Sequence, residues 1–140
     1  MKWIELNYVW LDGNDPPQIR SKTKMMEVED DQETMSLSMI PDWSFDGSSC
    51  NQAEGEDSDL ILRPYSLSKT PYETFVVWCE VFKTDGVTPH ETNYRAKLRN
   101  IIKNNEQTRD YWFGVEQEYV LYNAKEGTIL GWEDGEPGPQ

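Results

Sequence analysis

The stretch WIELNYVW, residues 3–10, decides the fold class because its apolar and polar side chains alternate. The apolar positions share one face and the polar positions share the other: Ile4, Leu6, Tyr8 and Trp10 against Glu5 and Asn7. A period of two is typical of a β-strand that buries one face. The sequence DGNDPP at residues 12–17 then breaks the strand, and a second extended stretch follows at residues 19–26. A β-hairpin is therefore expected at the start of the chain.

Further strands and one helix are indicated downstream. Residues 75–82, FVVWCEVF, form a nearly continuous apolar run that predicts a central strand covered on both faces. Residues 60–64, LILRP, indicate a short strand that Pro64 ends. The sequence TPHE at residues 88–91 predicts a helix start, with Thr88 as the N-cap and Pro89 in the first turn.

The predicted helix continues to about residue 104 and carries an apolar stripe. Its members recur at helical spacing: Tyr94, Leu98, Ile101 and Ile102. A last strand is predicted over residues 112–122. Strands and loops dominate residues 1–85, whereas residues 86–140 have a helix and a strand. This change predicts a domain boundary near residue 85 in an α+β protein.

Composition narrows the classes of function. The 140 residues include 26 acidic and 13 basic side chains, so the formal net charge is −13. This charge argues against nucleic acid and anionic membranes as partners, because phosphate-binding surfaces need clustered Lys and Arg. It is compatible with a site that holds cations. The aromatic content of 12% indicates a chain that packs a core.

A cytoplasmic location is expected from three absences. No apolar run is long enough to span a membrane. Glu5 interrupts what would be the core of a signal peptide. Cys50 and Cys79 have no metal-binding spacing, and two free thiols are typical of a reducing compartment.

The predicted last strand carries the first candidate site. Glu116 and Glu118 would share one face of it, about 7 Å apart. Two ionised carboxylates that close repel each other unless one is protonated or a cation lies between them, and Mg²⁺ or Mn²⁺ takes carboxylate oxygens. The alternative is a solvent-facing acidic stripe on an edge strand. The lone histidine, His90, is expected to cap its helix or to be exposed rather than to bind metal.

The second candidate is Asp46 in the sequence FDGSS, residues 45–49. An Asp followed by Gly and two Ser residues forms a turn that exposes a carboxylate beside hydroxyl and backbone donors. Ordinary turn formation explains the pattern equally well. The acidic loop at residues 54–59 is no phosphate cradle, since it lacks lysine and its carboxylates would repel phosphate.

Seven segments together are far more specific than any one of them. In chain order they are YVWLDG (8–13), RSKT (20–23), WSFDGSS (43–49), EGEDSD (54–59), CEVF (79–82), ETNYR (91–95) and WFGVEQEY (112–119). Their order and spacing resemble the N-terminal part of glutamine synthetase, in its eukaryotic-like type II branch. The closing PGPQ at residues 137–140 is similar to a further motif of this family.

The resemblance implies an enzyme that joins ammonia to glutamate with ATP through a γ-glutamyl phosphate, using Mg²⁺ or Mn²⁺. It implies that Glu116 and Glu118 are metal ligands, with Glu116 on the metal that bridges to the ATP phosphates. It implies that Asp46 reaches a neighbouring subunit's site, where it binds ammonium and removes a proton. The implied fold is a β-grasp-like domain over residues 1–85, followed by the first helix and strand of the catalytic domain over residues 86–140. The implied assembly is a cytoplasmic decameric ring.

Family chains are more than twice as long as this one. In them the remaining metal ligands and the substrate-binding arginines follow the part that this chain resembles. The first hypothesis is therefore an N-terminal fragment of the enzyme that is inactive alone. A second is a short non-catalytic module that binds or regulates full-length glutamine synthetase rings. A third, weaker hypothesis is a freestanding β-grasp interaction domain.

Overall fold

The computed structural model describes residues 1–32, 34–72, 74–105, 107 and 110–131. Contacts divide the chain into two compact units, Met1–Thr108 and Arg109–Gln140. The sequence predicts a domain boundary near residue 85. That boundary would separate two domains of a larger protein, so it stays a prediction. No helix in the described ranges is long and apolar enough to cross a membrane.

The first unit is a five-stranded sheet with one α-helix, so the chain is of the mixed α+β class. In chain order its strands are β1 (Lys2–Leu11), β2 (Ile19–Val28), β3 (Trp43–Asp46), β4 (Asp59–Lys69) and β5 (Thr74–Phe82), and its helix is α1 (Tyr94–Asn104). Two short 3-10 helices, Leu37–Met39 and Gly47–Cys50, flank β3. The strand order in the sheet is β2-β1-β5-β4-β3, with only the β1–β5 pair parallel.

The opening hairpin is confirmed. Strands β1 and β2 pair antiparallel along their whole length, from Lys2 opposite Val28 to Leu11 opposite Ile19. All four alternating apolar residues predicted for the buried face are in the core: Ile4, Leu6, Tyr8 and Trp10. The period of two therefore predicted both the strand and the face that it buries.

Strand β5 is central, as predicted, but only its second half is covered on both faces. Phe75 and Val77 are buried while the residues between and beside them are half-buried, and all four residues from Cys79 to Phe82 are buried. Strand β4 corrects the expected stop at Pro64, because it runs on to Lys69. The pairing register shifts between Pro64 and Ser66. A bulge of this kind accommodates a proline, which has no N–H to donate to the ladder.

The predicted helix start at Thr88 is wrong. Asp85 holds Thr88 in a turn, since its side chain accepts from the Thr88 N–H (2.8 Å) and hydroxyl (2.6 Å), and Pro89 forms a β-bridge with Phe82. The N-cap lies five residues later, at Asn93, whose Oδ1 accepts from the Ala96 N–H at 3.0 Å. This side-chain cap satisfies a first-turn N–H that has no partner within the helix.

The predicted apolar stripe of α1 forms but is not buried. Each of its four residues is 42–57% exposed: Tyr94, Leu98, Ile101 and Ile102. The buried residue of the helix is Ala96. On the same helix, Arg95 lies over the rings of Tyr65 and Trp78, and Arg99 pairs with the buried Glu80.

The second unit contains a two-stranded antiparallel ribbon, β6 (Tyr122–Asn123) and β7 (Thr128–Ile129). The strand predicted over residues 112–122 is wrong, since residues 111–121 have no regular secondary structure and are all exposed. A strand needs a hydrogen-bonded neighbour, and in the described part of the chain no other strand pairs with these residues. Residues 137–140, which carry the PGPQ motif, lie outside the described residues.

Candidate functional site

Asp46 ends strand β3 and caps the 3-10 helix Gly47–Cys50. Its Oδ1 accepts from the Ser48 N–H at 2.9 Å and from the Ser48 hydroxyl at 2.6 Å. Its backbone carbonyl accepts from the Ser49 hydroxyl at 3.0 Å. The sequence therefore folds into the predicted turn because both serines satisfy the groups that Asp46 presents.

The carboxylate of Asp46 is exposed and ionised. The Ser48 hydroxyl, and then the Ser48 N–H, lower the pKa of Asp46 below its ordinary value because both donors favour the charged form. At neutral pH this position offers a negative charge in a fixed orientation. It can attract a cation or accept hydrogen bonds from one.

A buried platform supports the Asp46 turn. Gly47 lies under Leu60, and a Cβ added to Gly47 would lie 2.6 Å from Leu60 Cδ1. The Gly47 N–H donates to the Ser58 carbonyl at 2.7 Å, and its carbonyl accepts from the Gln52 N–H at 2.9 Å. Only glycine fits here without displacing the packed leucine, so the turn has a fixed position on the sheet.

Asp12 anchors the β1–β2 loop beside this platform. It is fully buried, and its carboxylate accepts from the N–H groups of Asn14 (3.0 Å) and Gln18 (2.8 Å) and from Arg20 Nε (2.9 Å). Burial by itself would raise the pKa of Asp12, but these hydrogen bonds outweigh it and lower the pKa to about 2. The next residue, Gly13, donates to the Cys50 carbonyl at 2.8 Å, which joins the loop to the end of the Asp46 turn.

Glu116 and Glu118 are exposed and lie in the segment of residues 111–121. Since this segment forms no strand, the shared strand face on which the 7 Å spacing depended is absent. Among the residues that the structure describes, no three His, Cys, Asp or Glu side chains are grouped so that they could hold a metal ion. The described residues thus do not form a metal site by themselves, and the ligand roles of Glu116 and Glu118 stay predictions.

His90 is neither a helix cap nor freely exposed. It precedes the helix, with Nε2 at 2.6 Å from the Gln52 carbonyl and Nδ1 at 2.9 Å from the Thr92 hydroxyl. A carbonyl only accepts, so Nε2 carries the proton and Nδ1 is free to accept from Thr92. The ring therefore connects the segment before α1 to residue 52, which is a structural role.

Sequence reasoning overlooked two buried carboxylates, Asp12 and Glu80. Glu80 is 2% exposed and its Oε2 lies 3.1 Å from Arg99 Nη1. The signal was available for Glu80, because a single acid inside the apolar run of residues 75–82 needs a charged or hydrogen-bonding partner. The sequence indicated the burial of Asp12 less clearly, because an Asp-Gly turn is ordinarily exposed. The burial of the Asp12 carboxylate depends on Arg20 across the hairpin.

No protein-family model matches this chain. It is 45% identical to the chloroplastic glutamine synthetase of Chlamydomonas reinhardtii over 95% of this chain and 37% of that protein. It is 41% identical to a glutamine synthetase of Suillus bovinus (98% of this chain, 37% of that one) and 40% identical to one of Xenopus laevis (98% and 34%).

The chain thus spans little more than a third of the length of these curated relatives, while almost every residue of it is covered. Identity near 40% over almost the whole chain agrees with the collinear motifs found in the sequence. The chain is therefore homologous to the N-terminal portion of glutamine synthetases.

Proposed function

We propose that this chain acts as the N-terminal part of a glutamine synthetase, in the ATP-dependent amidation of glutamate through γ-glutamyl phosphate. The observation that carries the proposal is the similarity to named glutamine synthetases over 95% or more of the chain. The described fold, a five-stranded sheet followed by a helix, is consistent with a β-grasp-like N-terminal domain that leads into a catalytic domain.

Of the candidate residues, Asp46 has the charge and the fixed position best suited to a role in this reaction. Its lowered pKa keeps it ionised, which favours charge pairing with ammonium over proton removal, because a strongly acidic carboxyl is a weak base. Its function as a base would require contact with a neighbouring subunit that withdraws it from water and raises its pKa again. We therefore propose that Asp46 binds ammonium first and accepts a proton only in an assembled ring, decameric by family resemblance.

Glu116 and Glu118 are proposed as ligands of Mg²⁺ or Mn²⁺, with Glu116 on the side of ATP. Both carboxylates are exposed and so accessible to a metal. Such ions take about six or more oxygen ligands, so two carboxylates are too few and the others must come from outside the described residues. We accordingly propose that the isolated chain is inactive. We also propose that the complete enzyme works in the cytoplasm.

The first test measures phosphate release dependent on ATP, Mg²⁺ and glutamate. We expect none from the isolated 140-residue chain. A chimaera in which this chain replaces the matching part of the Chlamydomonas reinhardtii relative should be active. Release of phosphate by the isolated chain would refute the fragment proposal, and a folded, assembled but inactive chimaera would refute the function.

The same chimaera tests the residues. We expect Asp46→Asn, Glu116→Gln and Glu118→Gln each to lower kcat/KM by about a hundredfold or more. Asp59→Asn is the matched control, because Asp59 lies opposite Asp46 on β4 and is also exposed. Equal losses in Asp59→Asn and Asp46→Asn would contradict a specific role for Asp46.

A second candidate function is a non-catalytic module that binds and regulates full-length rings. The exposed apolar stripe of α1 favours it, because such a face is typical of a surface that contacts another protein. Size-exclusion chromatography of the chain with an intact glutamine synthetase tests it. Co-elution with a change in activity supports this function, and separate elution with unchanged activity excludes it.

A further inference from the structure

Glu80 is a buried carboxylate that the proposed reaction does not use. It is 2% exposed and lies in β5 between Cys79 and Val81, both of which belong to the main core. Because neighbouring residues of a strand point to opposite faces, Glu80 lies on the face of β5 away from that core. Its Oε2 is 3.1 Å from Nη1 of Arg99 on helix α1, and its Oε1 is buried without a hydrogen-bond partner among the described residues. A charge on the helix therefore compensates a buried charge on the sheet.

Helix α1 is held on this face mainly at its N-terminal end. Asn93 Nδ2 donates to a backbone carbonyl of β5 at 2.9 Å, and Asn93 Oδ1 accepts from the Ala96 N–H at 3.0 Å. Ala96 is the buried residue of the helix, and residues 97–104 are all exposed. Beyond the first turn, Arg99 reaches back to the sheet and pairs with Glu80. The later part of the helix thus depends on one ion pair.

Little apolar surface supports this docking, because the apolar stripe of α1 is exposed. A buried ion pair adds little net free energy, since the desolvation of its charges offsets their attraction. Loss of one partner is nevertheless costly, because it leaves the other charge buried and unpaired. An isolated helix of eleven residues is too short to be stable in water. The balance between a docked and a released helix therefore depends on the ion pair.

We propose that Glu80 and Arg99 form a latch for helix α1. When the pair is made, the helix lies on the sheet. When it is broken, residues 97–104 leave the sheet and lose their helical hydrogen bonds, while the five strands stay folded because their core lies on the opposite face of β5. Water then hydrates both oxygens of Glu80, which lowers the cost of opening. This inference is independent of the proposed enzymatic function.

A helix that is an integral part of the first unit would behave differently. Its amides would exchange with solvent only when the sheet unfolds, so helix and strands would share one exchange rate. A substitution that weakens the unit would then speed exchange in both. A latch instead predicts that the helix opens by itself.

Native-state hydrogen exchange of the ¹⁵N-labelled 140-residue chain tests the latch, with amides of residues 98–104 reporting on the helix and those of β5 on the sheet. In the unaltered chain we expect the helix amides to be protected but to exchange at least about a hundredfold faster than those of β5. Arg99→Gln should speed helix exchange by about a further tenfold and change β5 by less than about threefold. Helix amides that exchange at the rate of β5, or that show no protection, overturn the proposal.

Lys103→Gln is the matched control, because it removes the same charge from an exposed position of the same helix. Gln, Lys and Arg have similar helix propensities, so this variant should change helix exchange by less than about threefold. Equal effects of Lys103→Gln and Arg99→Gln overturn the proposal, as does an equal acceleration of helix and β5 by Arg99→Gln.

Glu80→Gln tests the other partner of the pair and should also speed helix exchange. Because both residues act through one contact, the double variant with Arg99→Gln should exchange no faster than Arg99→Gln alone. Single effects that multiply in the double variant would show that the two residues act separately, and the latch would be refuted.

Discussion

The Asp46 turn and the segment of residues 111–121 both place carboxylates among aromatic residues, yet they have opposite structures. Asp46 accepts two hydrogen bonds from Ser48 and stands on a glycine packed under Leu60. Glu116 and Glu118 lie in an exposed segment without regular structure, beside Trp112 at 97% exposure. The difference teaches that a motif which closes on itself within three residues takes its hydrogen-bonded shape from its own side chains, whereas a strand motif takes its geometry from a neighbouring strand.

The largest contrast between the two regions should appear in proteolysis. Chymotrypsin should cut after Trp112 or Phe113 at least about a thousandfold faster than within β5. The exposed segment can be cut in the folded chain, whereas β5 becomes accessible to the protease only after global unfolding. Mass spectrometry of timed digests measures this. A protease-resistant product that extends to residue 125 would show that residues 111–121 are packed and would contradict the contrast.

Removal of the buried carboxylate beside the Asp46 turn should have the next largest effect. Asp12→Ala leaves Arg20 and two backbone N–H groups without their acceptor, so the free energy of unfolding should fall by about 3 kcal/mol. Urea unfolding followed by tryptophan fluorescence measures it. Asp31→Ala is the control at an exposed position and should change the free energy by less than about 0.5 kcal/mol.

The effect of Asp12 should depend on pH in a defined direction. Its pKa is lowered to about 2 in the folded chain, so its contribution is fully present above the unfolded pKa, near 4, and is lost as the pH falls towards 2. The difference in stability between the unaltered chain and Asp12→Ala should accordingly shrink between pH 4 and pH 2. A difference that stays constant over this range would mean that Asp12 is not ionised in the folded state.

A methyl group under the Asp46 turn should have a smaller effect. Gly47→Ala brings Cβ to 2.6 Å from Leu60 Cδ1, and this overpacking should lower the free energy of unfolding by about 2 kcal/mol. Gly55→Ala is the matched control, because a Cβ there has no neighbour within 4 Å. Similar losses in both variants would indicate a general glycine effect rather than support of the turn by Leu60.

The smallest effect should come from the acids of the exposed segment. Glu116→Gln and Glu118→Gln should each change the free energy of unfolding by less than about 0.5 kcal/mol, since neither side chain is buried. The same urea unfolding measures both. A loss above about 1 kcal/mol would show that these residues take part in packing.

Elements defined by local patterns were predicted well. The alternation in residues 3–10, the turn at residues 12–17 and the serine-capped turn after Asp46 all formed, because each depends on its own side chains or on a neighbour close in sequence. The helix end at Asn104 was also predicted. The helix start was not, because Asp85 and a bridge between Pro89 and Phe82 compete for the residues that looked like a cap.

Predictions that needed distant partners were less reliable. Pro64 did not end β4, since its pairing with the long strand β5 continues past a register shift. Helix α1 is amphipathic in sequence, but its apolar stripe is exposed. The residues that face the sheet are Ala96, Arg95 and Arg99 instead. Helical periodicity shows which residues share a face, and only tertiary contacts decide whether that face is buried.

The sequence by itself determined the alternation of β1, the order of motifs and the identity of Asp46, Glu116 and Glu118 as candidate residues. These are properties of neighbouring residues and of their spacing, which a sequence shows directly. Only the tertiary structure decided that Asp12 and Glu80 are buried while their partners Arg20 and Arg99 stay partly exposed. It also decided that the indole N–H of Trp10 is buried without an acceptor, and that residues 111–121 pair with no strand among the described residues. Burial and strand pairing join residues far apart in the chain, and those contacts exist only once the sheet has formed.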